Sequence, residues 1–169
     1  MQLNSRIKAL ISICLLFCLC ACDTNVLGSK DSSSHYSDLI ELVSGYSNFV
    51  ESSEYFDIAA DVAKIDEGYR YYVTIDNPHY AMYDIEAIAI ESGVDYSDNM
   101  AANAGVFEDI EYHMVPNQFN ASKGYVEGLV ISGLSSSPNI TLYVLVQWKN
   151  EDFSNTRREF IQLDAAYEG

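Results

Sequence analysis

The strictest constraint on the fold is the alternation of apolar and polar residues over positions 140–149. Every second residue from Ile140 to Trp148 is apolar, whereas Thr141 and Lys149 fall on the opposite side. Since successive side chains of a strand point to opposite faces of a sheet, this period of two predicts a β-strand with one face in a core.

Similar short segments, separated by turn signals, recur from residue 53 onwards. The sequence DEG at 66–68 predicts a hairpin turn, and the Asn-Pro pair at 77–78 ends the second segment. Segment 82–90 is apolar on both sides near its end, which predicts a strand in the middle of a sheet. About seven strands indicate an antiparallel β-sandwich of immunoglobulin-like type over residues 53–169, without the disulfide of antibody domains. A small closed barrel is the alternative.

A helical period precedes the strands. Leu39 and Val43 fall on one stripe, and Asp38 followed three residues later by Glu41 resembles a helix N-cap with its reciprocal partner. We therefore predict one short helix over residues 36–52.

The N-terminus has the layout of a targeting segment. Arg6 and Lys8 precede an apolar run from Ala9 to Ala21. That run is too short for a transmembrane helix, which needs about 20 apolar residues. A basic start, a short apolar core and small residues behind it are typical of a secretory signal peptide. We predict that residues 1–21 are removed.

The end of this run, Leu19-Cys20-Ala21-Cys22, resembles the lipobox of bacterial lipoproteins. The resemblance implies cleavage between Ala21 and Cys22 and a diacylglyceryl thioether on Cys22. The mature protein would then be a lipoprotein anchored at the extracytoplasmic face of the cell membrane, because two acyl chains give a stable anchor. Residues 22–35 are predicted to form a flexible tether.

The cysteine and charge distributions exclude several classes of function. All four cysteines, at 14, 18, 20 and 22, lie in or at the end of the signal, so the mature domain lacks disulfides, thiol nucleophiles and cysteine metal sites. The mature chain has 169 − 21 = 148 residues and a formal charge of 7 − 25 = −18, because Arg6 and Lys8 are removed. Such a domain is repelled by nucleic acid, so no nucleic-acid partner is expected.

No catalytic motif accompanies the three histidines. His35 falls in the predicted tether, His79 in a turn and His113 on a strand, without a nucleophile elbow or an HExxH pattern. Carboxylate pairs serve glycosidases, but among 25 acidic residues close pairs arise by chance. We therefore expect a non-enzymatic protein, and an extracytoplasmic hydrolase is the least favoured alternative.

The best metal candidate is the polar loop at 92–105. Asp95, Ser97 and Asp98 offer oxygen ligands of the kind that calcium takes, without the residue order of an EF-hand. No cofactor is expected other than calcium at this loop.

Thirteen tyrosines supply candidates for a ligand surface. Tyr72 and Tyr143 fall on the outward side of their predicted strands, where tyrosine rings stack on sugars or pack on peptides. The β-propensity of tyrosine also accounts for these positions. We predict Tyr72 and Tyr143 as ligand-surface residues.

Two functions remain open. The first is an anchored binding or scaffold module for a protein, peptide or cell-wall component, which long loops and a tether favour. The strand rhythm is similar to that of immunoglobulin-like modules in bacterial surface lipoproteins, a generic resemblance that implies no activity. The second is a lipoprotein that binds calcium or a small ligand. A scaffold predicts an exposed edge strand or apolar patch, whereas an ion site predicts converging carboxylates.

Overall fold

The computed structural model describes residues 32–169. The predicted signal peptide, the cleavage site at Ala21 and the lipidation site at Cys22 lie outside the described residues. The described elements are α1 (Ser32–Ser44), β1 (Asp57–Ile65), β2 (Gly68–Asp76), β3 (Met82–Glu91), β4 (Ala102–Ala104), β5 (Tyr112–Met114), a short 3-10 helix (Ala121–Lys123), β6 (Gly128–Ser135), β7 (Asn139–Lys149) and β8 (Thr156–Ala166).

The strands form two antiparallel sheets. A three-stranded sheet has the order β1-β2-β6, and a five-stranded sheet has the order β4-β3-β7-β8, with β5 also pairing with β3. The inward side chains of both sheets share one apolar core, to which Val73 and Ile75 of β2 and Val144 of β7 contribute. The predicted β-sandwich is therefore confirmed and the barrel alternative is wrong, while the finer immunoglobulin-like assignment stays a prediction.

A second apolar core lies on the outer side of the five-stranded sheet. Leu39 and Val43 of α1 are buried there against Ile88, Ile90 and Leu145. Every residue of β3 from Ile85 to Glu91 is buried, because both faces of the strand are covered. The prediction of a central strand that is apolar on both sides is confirmed.

The predicted helix bounds are wrong at both ends. The helix spans Ser32–Ser44 rather than 36–52, so the last four residues of the predicted tether are helical and Asp38 lies inside the helix instead of capping it. Beyond the helix no further helix or strand begins before Asp57, and Val50 forms an isolated parallel bridge with Ile161 on the edge of β8. The apolar residues after position 45 match a helical stripe in sequence but pair with a sheet in the structure.

The structure has one strand more than the approximate count from the sequence. Strand β4 lies within the region predicted as the polar loop 92–105, where its three residues pair with Ala87–Ala89 of β3. A strand of three residues is too short to produce a recognisable alternation. Among residues 32–169, no helix has the length and apolar character needed to cross a membrane.

Candidate functional site

The outer side of the three-stranded sheet forms an exposed surface with a tyrosine at its centre. We define this open face by the outward residues of the three strands, which are Ala59, Asp61 and Ala63 of β1, Arg70, Tyr72 and Thr74 of β2, and Val130, Ser132 and Leu134 of β6. Tyr72 is 37 % exposed, Val130 61 % and Leu134 64 %. The large side chains that this face exposes to solvent are therefore mostly apolar.

The strand register explains why these residues share one surface. Tyr72 lies opposite Asp61 of β1 on one side and Ser132 of β6 on the other. Arg70 lies opposite Leu134 and donates a hydrogen bond from Nη1 to Ser132 Oγ at 3.4 Å. Charged groups thus border the apolar residues, as in protein interfaces with a polar rim.

Tyr143 does not belong to this surface. It lies on the outer side of the five-stranded sheet, opposite Ile90 and Gln162, and is therefore on the other side of the sandwich from Tyr72. Its ring stacks on Phe49, with 4.5 Å between ring centroids, and the residue is half-buried. Tyr143 is outward from the shared core, as predicted, but the chain after α1 returns across this face, so Tyr72 and Tyr143 do not lie on one surface. A ligand-binding role for either tyrosine stays a prediction.

Tyr143 instead borders a cleft of about 440 Å³ at the C-terminal end of α1. The cleft is also lined by Tyr46, Phe49, Val94 and Gln162. Its volume lies at the small end of the range of about 300–1,000 Å³ found for small-ligand pockets. This cleft is one place in the described chain where the small-ligand alternative would apply, and larger clefts of about 650 Å³ and about 540 Å³ lie elsewhere on its surface.

His35 holds α1 on the sheet and is not part of a tether. Its Nε2 lies 2.7 Å from Glu86 Oε2, which also accepts a hydrogen bond from Gln147 Nε2. Gln147 Oε1 in turn accepts a hydrogen bond from Arg158 Nε at 2.9 Å. Glu86 and Gln147 are buried, so these polar groups pair with each other beneath the start of the helix.

The other two histidines contact neighbouring loops. His79 Nδ1 lies 2.9 Å from the Glu54 carbonyl oxygen. His113 Nδ1 accepts a hydrogen bond from the Asp84 backbone N–H at 3.1 Å, and its ring packs between Tyr83 and Tyr125. Both contacts join segments that are distant in sequence, which is a structural role.

The predicted calcium loop is exposed. Asp95 Oδ1 accepts a hydrogen bond from the Ser97 backbone N–H at 2.9 Å, while Asp95, Ser97 and Asp98 all face solvent. In the part of the chain that the structure describes, no three histidine, cysteine or carboxylate side chains are grouped as metal ligands. Calcium binding at this loop stays a prediction.

Among the ionisable groups of the described residues with shifted pKa values, three lie on strands β8, β7 and β2. Burial raises the pKa of Glu159, whose Oε2 is buried without a hydrogen-bond partner, against an opposing hydrogen bond from Ser53. A hydrogen bond to Asp84, with Nζ and Oδ2 2.5 Å apart, raises the pKa of Lys149. Burial also raises the pKa of the Tyr71 hydroxyl. These three groups lie on three different strands of the sandwich.

Sequence reasoning missed two features of the structure, one buried and one exposed. The pairing of His35 with Glu86 joins residues 51 positions apart, and its only local signal is a carboxylate within the apolar run of β3. The exposure of Val130 and Leu134 was also missed, because an apolar residue in a strand is ordinarily read as buried. Searches of protein-family models and of curated proteins find no match for the chain.

Proposed function

We propose that the protein is a membrane-anchored extracytoplasmic lipoprotein whose sandwich binds a protein, peptide or cell-wall partner without catalysing a reaction. The open face around Tyr72 is the observation that carries the binding role. The lipobox resemblance of Leu19-Cys20-Ala21-Cys22 supports the anchor.

The physical argument for binding is the apolar character of the open face. Val130 and Leu134 are each more than half exposed on one strand, and Tyr72 lies between them on the next. Apolar side chains gathered on a surface and rimmed by polar residues are typical of interaction sites. Tyrosine adds a large, rigid ring with a hydroxyl at low entropic cost, which suits recognition.

The anchor places this surface close to a membrane. Ten residue steps separate Cys22 from Ser32, where the described helix begins. At about 3.5 Å per extended residue, the chain between them spans at most about 35 Å. The sandwich would therefore remain near the lipid surface, with the open face available to wall components or to membrane-associated proteins.

The anchor is tested with the full-length protein and its Cys22→Ala variant. Intact mass should show a diacylglyceryl adduct on a chain that begins at Cys22, and the wild type should partition into membranes. The Cys22→Ala variant should lack the adduct and leave the membrane fraction. An unlipidated, soluble wild type would refute the anchored function.

The binding role is tested by photo-crosslinking from position 74, which lies on the middle strand of the open face, two residues from Tyr72. A photoreactive residue replacing Thr74 in membranes should yield a discrete adduct that is lost when Tyr72→Ala is added. Tyr80→Ala is the matched control, since Tyr80 is an exposed tyrosine on the loop between β2 and β3. If Tyr72→Ala and Tyr80→Ala gave equal amounts of adduct, Tyr72 would not contribute to binding, and the binding role of the open face would be refuted.

A further inference from the structure

The four edges of the two sheets differ in how they are protected. The edge of β8 is partly covered by Val50, which accepts a hydrogen bond from the Gln162 N–H and donates one to the Phe160 carbonyl oxygen. The opposite edge of that sheet consists of β4 and β5, each three residues long. Strand β1 carries Asp57, Asp61 and Lys64. Charges, short strands and covering segments are the usual devices against edge-to-edge pairing.

Strand β6 has neither charged residues nor a bulge, and β4 of the other sheet lies near it without pairing with it. Its sequence, GLVISGLS, contains eight residues without a charge or a proline. Its register with β2 is continuous from Gly128 to Ser135, so no bulge interrupts it. Within residues 32–169, β6 pairs with β2 alone, and its other edge bonds no named strand. Such an edge offers backbone N–H and C=O groups to another strand.

The outward side chains of β6 add an apolar contact to this backbone edge. Val130 and Leu134 flank Ser132 and are 61 % and 64 % exposed. A strand added antiparallel to β6 would satisfy the backbone groups and cover both side chains together. The edge therefore specifies an occupant in extended conformation with apolar side chains on one face.

We infer that this occupant is β6 of a second copy of the chain. A two-fold axis at Ser132 would place Val130 opposite Leu134 of the second copy and join the two sheets into six continuous strands. Such a contact is isologous, so one surface patch serves both copies and the assembly closes as a dimer. In this dimer, the backbone N–H and C=O groups at the edge of β6 are bonded to the second copy.

The distribution of charge along the chain is compatible with a second copy at this strand. The mature chain has a formal charge of 7 − 25 = −18, so any self-contact must avoid carboxylates. Across the six-stranded sheet, the two Asp61 side chains would be five strand spacings apart, about 24 Å at about 4.8 Å each. That distance is about three times the Debye length of about 8 Å at physiological salt, so repulsion across the contact is screened. A cationic peptide would gain no charge partner on β6 itself.

A single pair of strands makes a small interface. It buries less than the roughly 1,600 Å² of a standard stable complex, so the dimer is expected to be weak in dilute solution. Confinement to a membrane raises the effective concentration of the copies and favours the pair. The inference rests on the proposed function in one respect only, which is that the membrane anchor concentrates the copies.

The test is disulfide crosslinking of the full-length chain in membranes. Facing residues of an antiparallel pair have Cα atoms about 4.5–5.5 Å apart, within the range of about 4.4–6.8 Å that a disulfide spans. Ser132→Cys should give a covalent dimer under mild oxidation. Ala59→Cys is the matched control, because Ala59 is exposed on the other edge of the same sheet. It should give no dimer above the wild type, which carries the same native cysteines.

Each further outcome decides the inference. Adding Val130→Lys and Leu134→Lys to Ser132→Cys should abolish the dimer while the circular dichroism spectrum is unchanged. Absence of the Ser132→Cys dimer, an equal dimer from Ala59→Cys, or an adduct with another protein would each overturn self-pairing. Membrane partitioning is measured on the same samples. If the chain is soluble, the anchor fails, and the same comparison at high protein concentration in the Cys22→Ala background still decides the pairing.

Discussion

The two outer faces of the sandwich differ in how far they are covered. On the five-stranded sheet, α1 covers the surface and Leu145 is 1 % exposed. On the three-stranded sheet, Val130 occupies an outward strand position of the same kind and is 61 % exposed. Both are apolar residues on the side of a sheet away from the shared core, so residue type alone does not decide burial.

The difference follows from where the covering segment comes from. The five-stranded sheet is covered by a helix that precedes the sandwich and contributes Leu39 and Val43 to its buried contacts. The three-stranded sheet shows no second apolar core among the described residues. An apolar residue on the covered face stabilises the fold, whereas one on the open face is available to a partner.

The largest expected effect separates these two roles directly. Leu145→Ala should lower the free energy of unfolding by about 2–5 kcal/mol, because it removes buried contacts and leaves a cavity beneath α1. Val130→Ala should change that free energy by less than about 0.5 kcal/mol. Urea unfolding of both variants beside the wild type measures the difference. A large loss of stability for Val130→Ala would show that the open face is covered.

A sharper form of the comparison uses two adjacent residues of β6. A Cβ added at Gly133 would lie 2.3 Å from the Tyr71 hydroxyl oxygen, on the inward side of the strand. Gly133→Ala should therefore cost about 1–3 kcal/mol of unfolding free energy through overpacking. Ser132→Ala, one residue away on the open face, should be nearly neutral in the same urea titration. Equal effects would contradict the assignment of inward and outward sides.

The sequence predicts the shared core well because its signal is local. The alternation in 140–149 and the two-sided apolar character of 82–90 correspond to β7 and β3, whose burial follows from pattern alone. The helix itself was also expected, although its bounds were not. Two contacts made over long distances in sequence flank this region: His35 lies against Glu86, and Val50 forms a bridge with Ile161.

The candidate site was only half predictable for the same reason. Tyr72 and Tyr143 have equivalent outward positions in the sequence pattern, yet only Tyr143 is overlaid by Phe49. Nothing in the strand that contains Tyr143 indicates that a segment about 95 residues earlier covers it. The polar cluster of Glu86 and Gln147 is hidden in the same way, since its members become neighbours only when β3 and β7 pair.

A smaller effect is expected where α1 is attached to the covered face. His35→Ala should lower stability by about 1 kcal/mol, because Glu86 loses one of its hydrogen-bond partners in a buried position. The loss should appear as faster hydrogen exchange of the α1 amides, while β2 and β6 amides keep their rates. Ser37→Ala is the control on the same helix, where the exposed hydroxyl bonds only to the Ser33 carbonyl oxygen. Uniformly faster exchange across the whole sandwich would contradict a local attachment.

The smallest effect tests how far burial extends along β8, on the side of the strand away from Phe160. Burial raises the pKa of Glu159 above its ordinary value, so the folded state holds this proton at a pH where the unfolded chain has released it. Stability from this group is therefore lost as pH rises through the interval between the unfolded and folded pKa values. Glu159→Gln does not titrate, and its unfolding free energy relative to the wild type should increase from about pH 4 to about pH 7. The measurement is urea unfolding at several pH values with the wild type in parallel. The contributions of the other carboxylates then cancel in the difference between the two proteins. A difference that stays constant or shrinks with pH would show that solvent reaches the Glu159 carboxyl group.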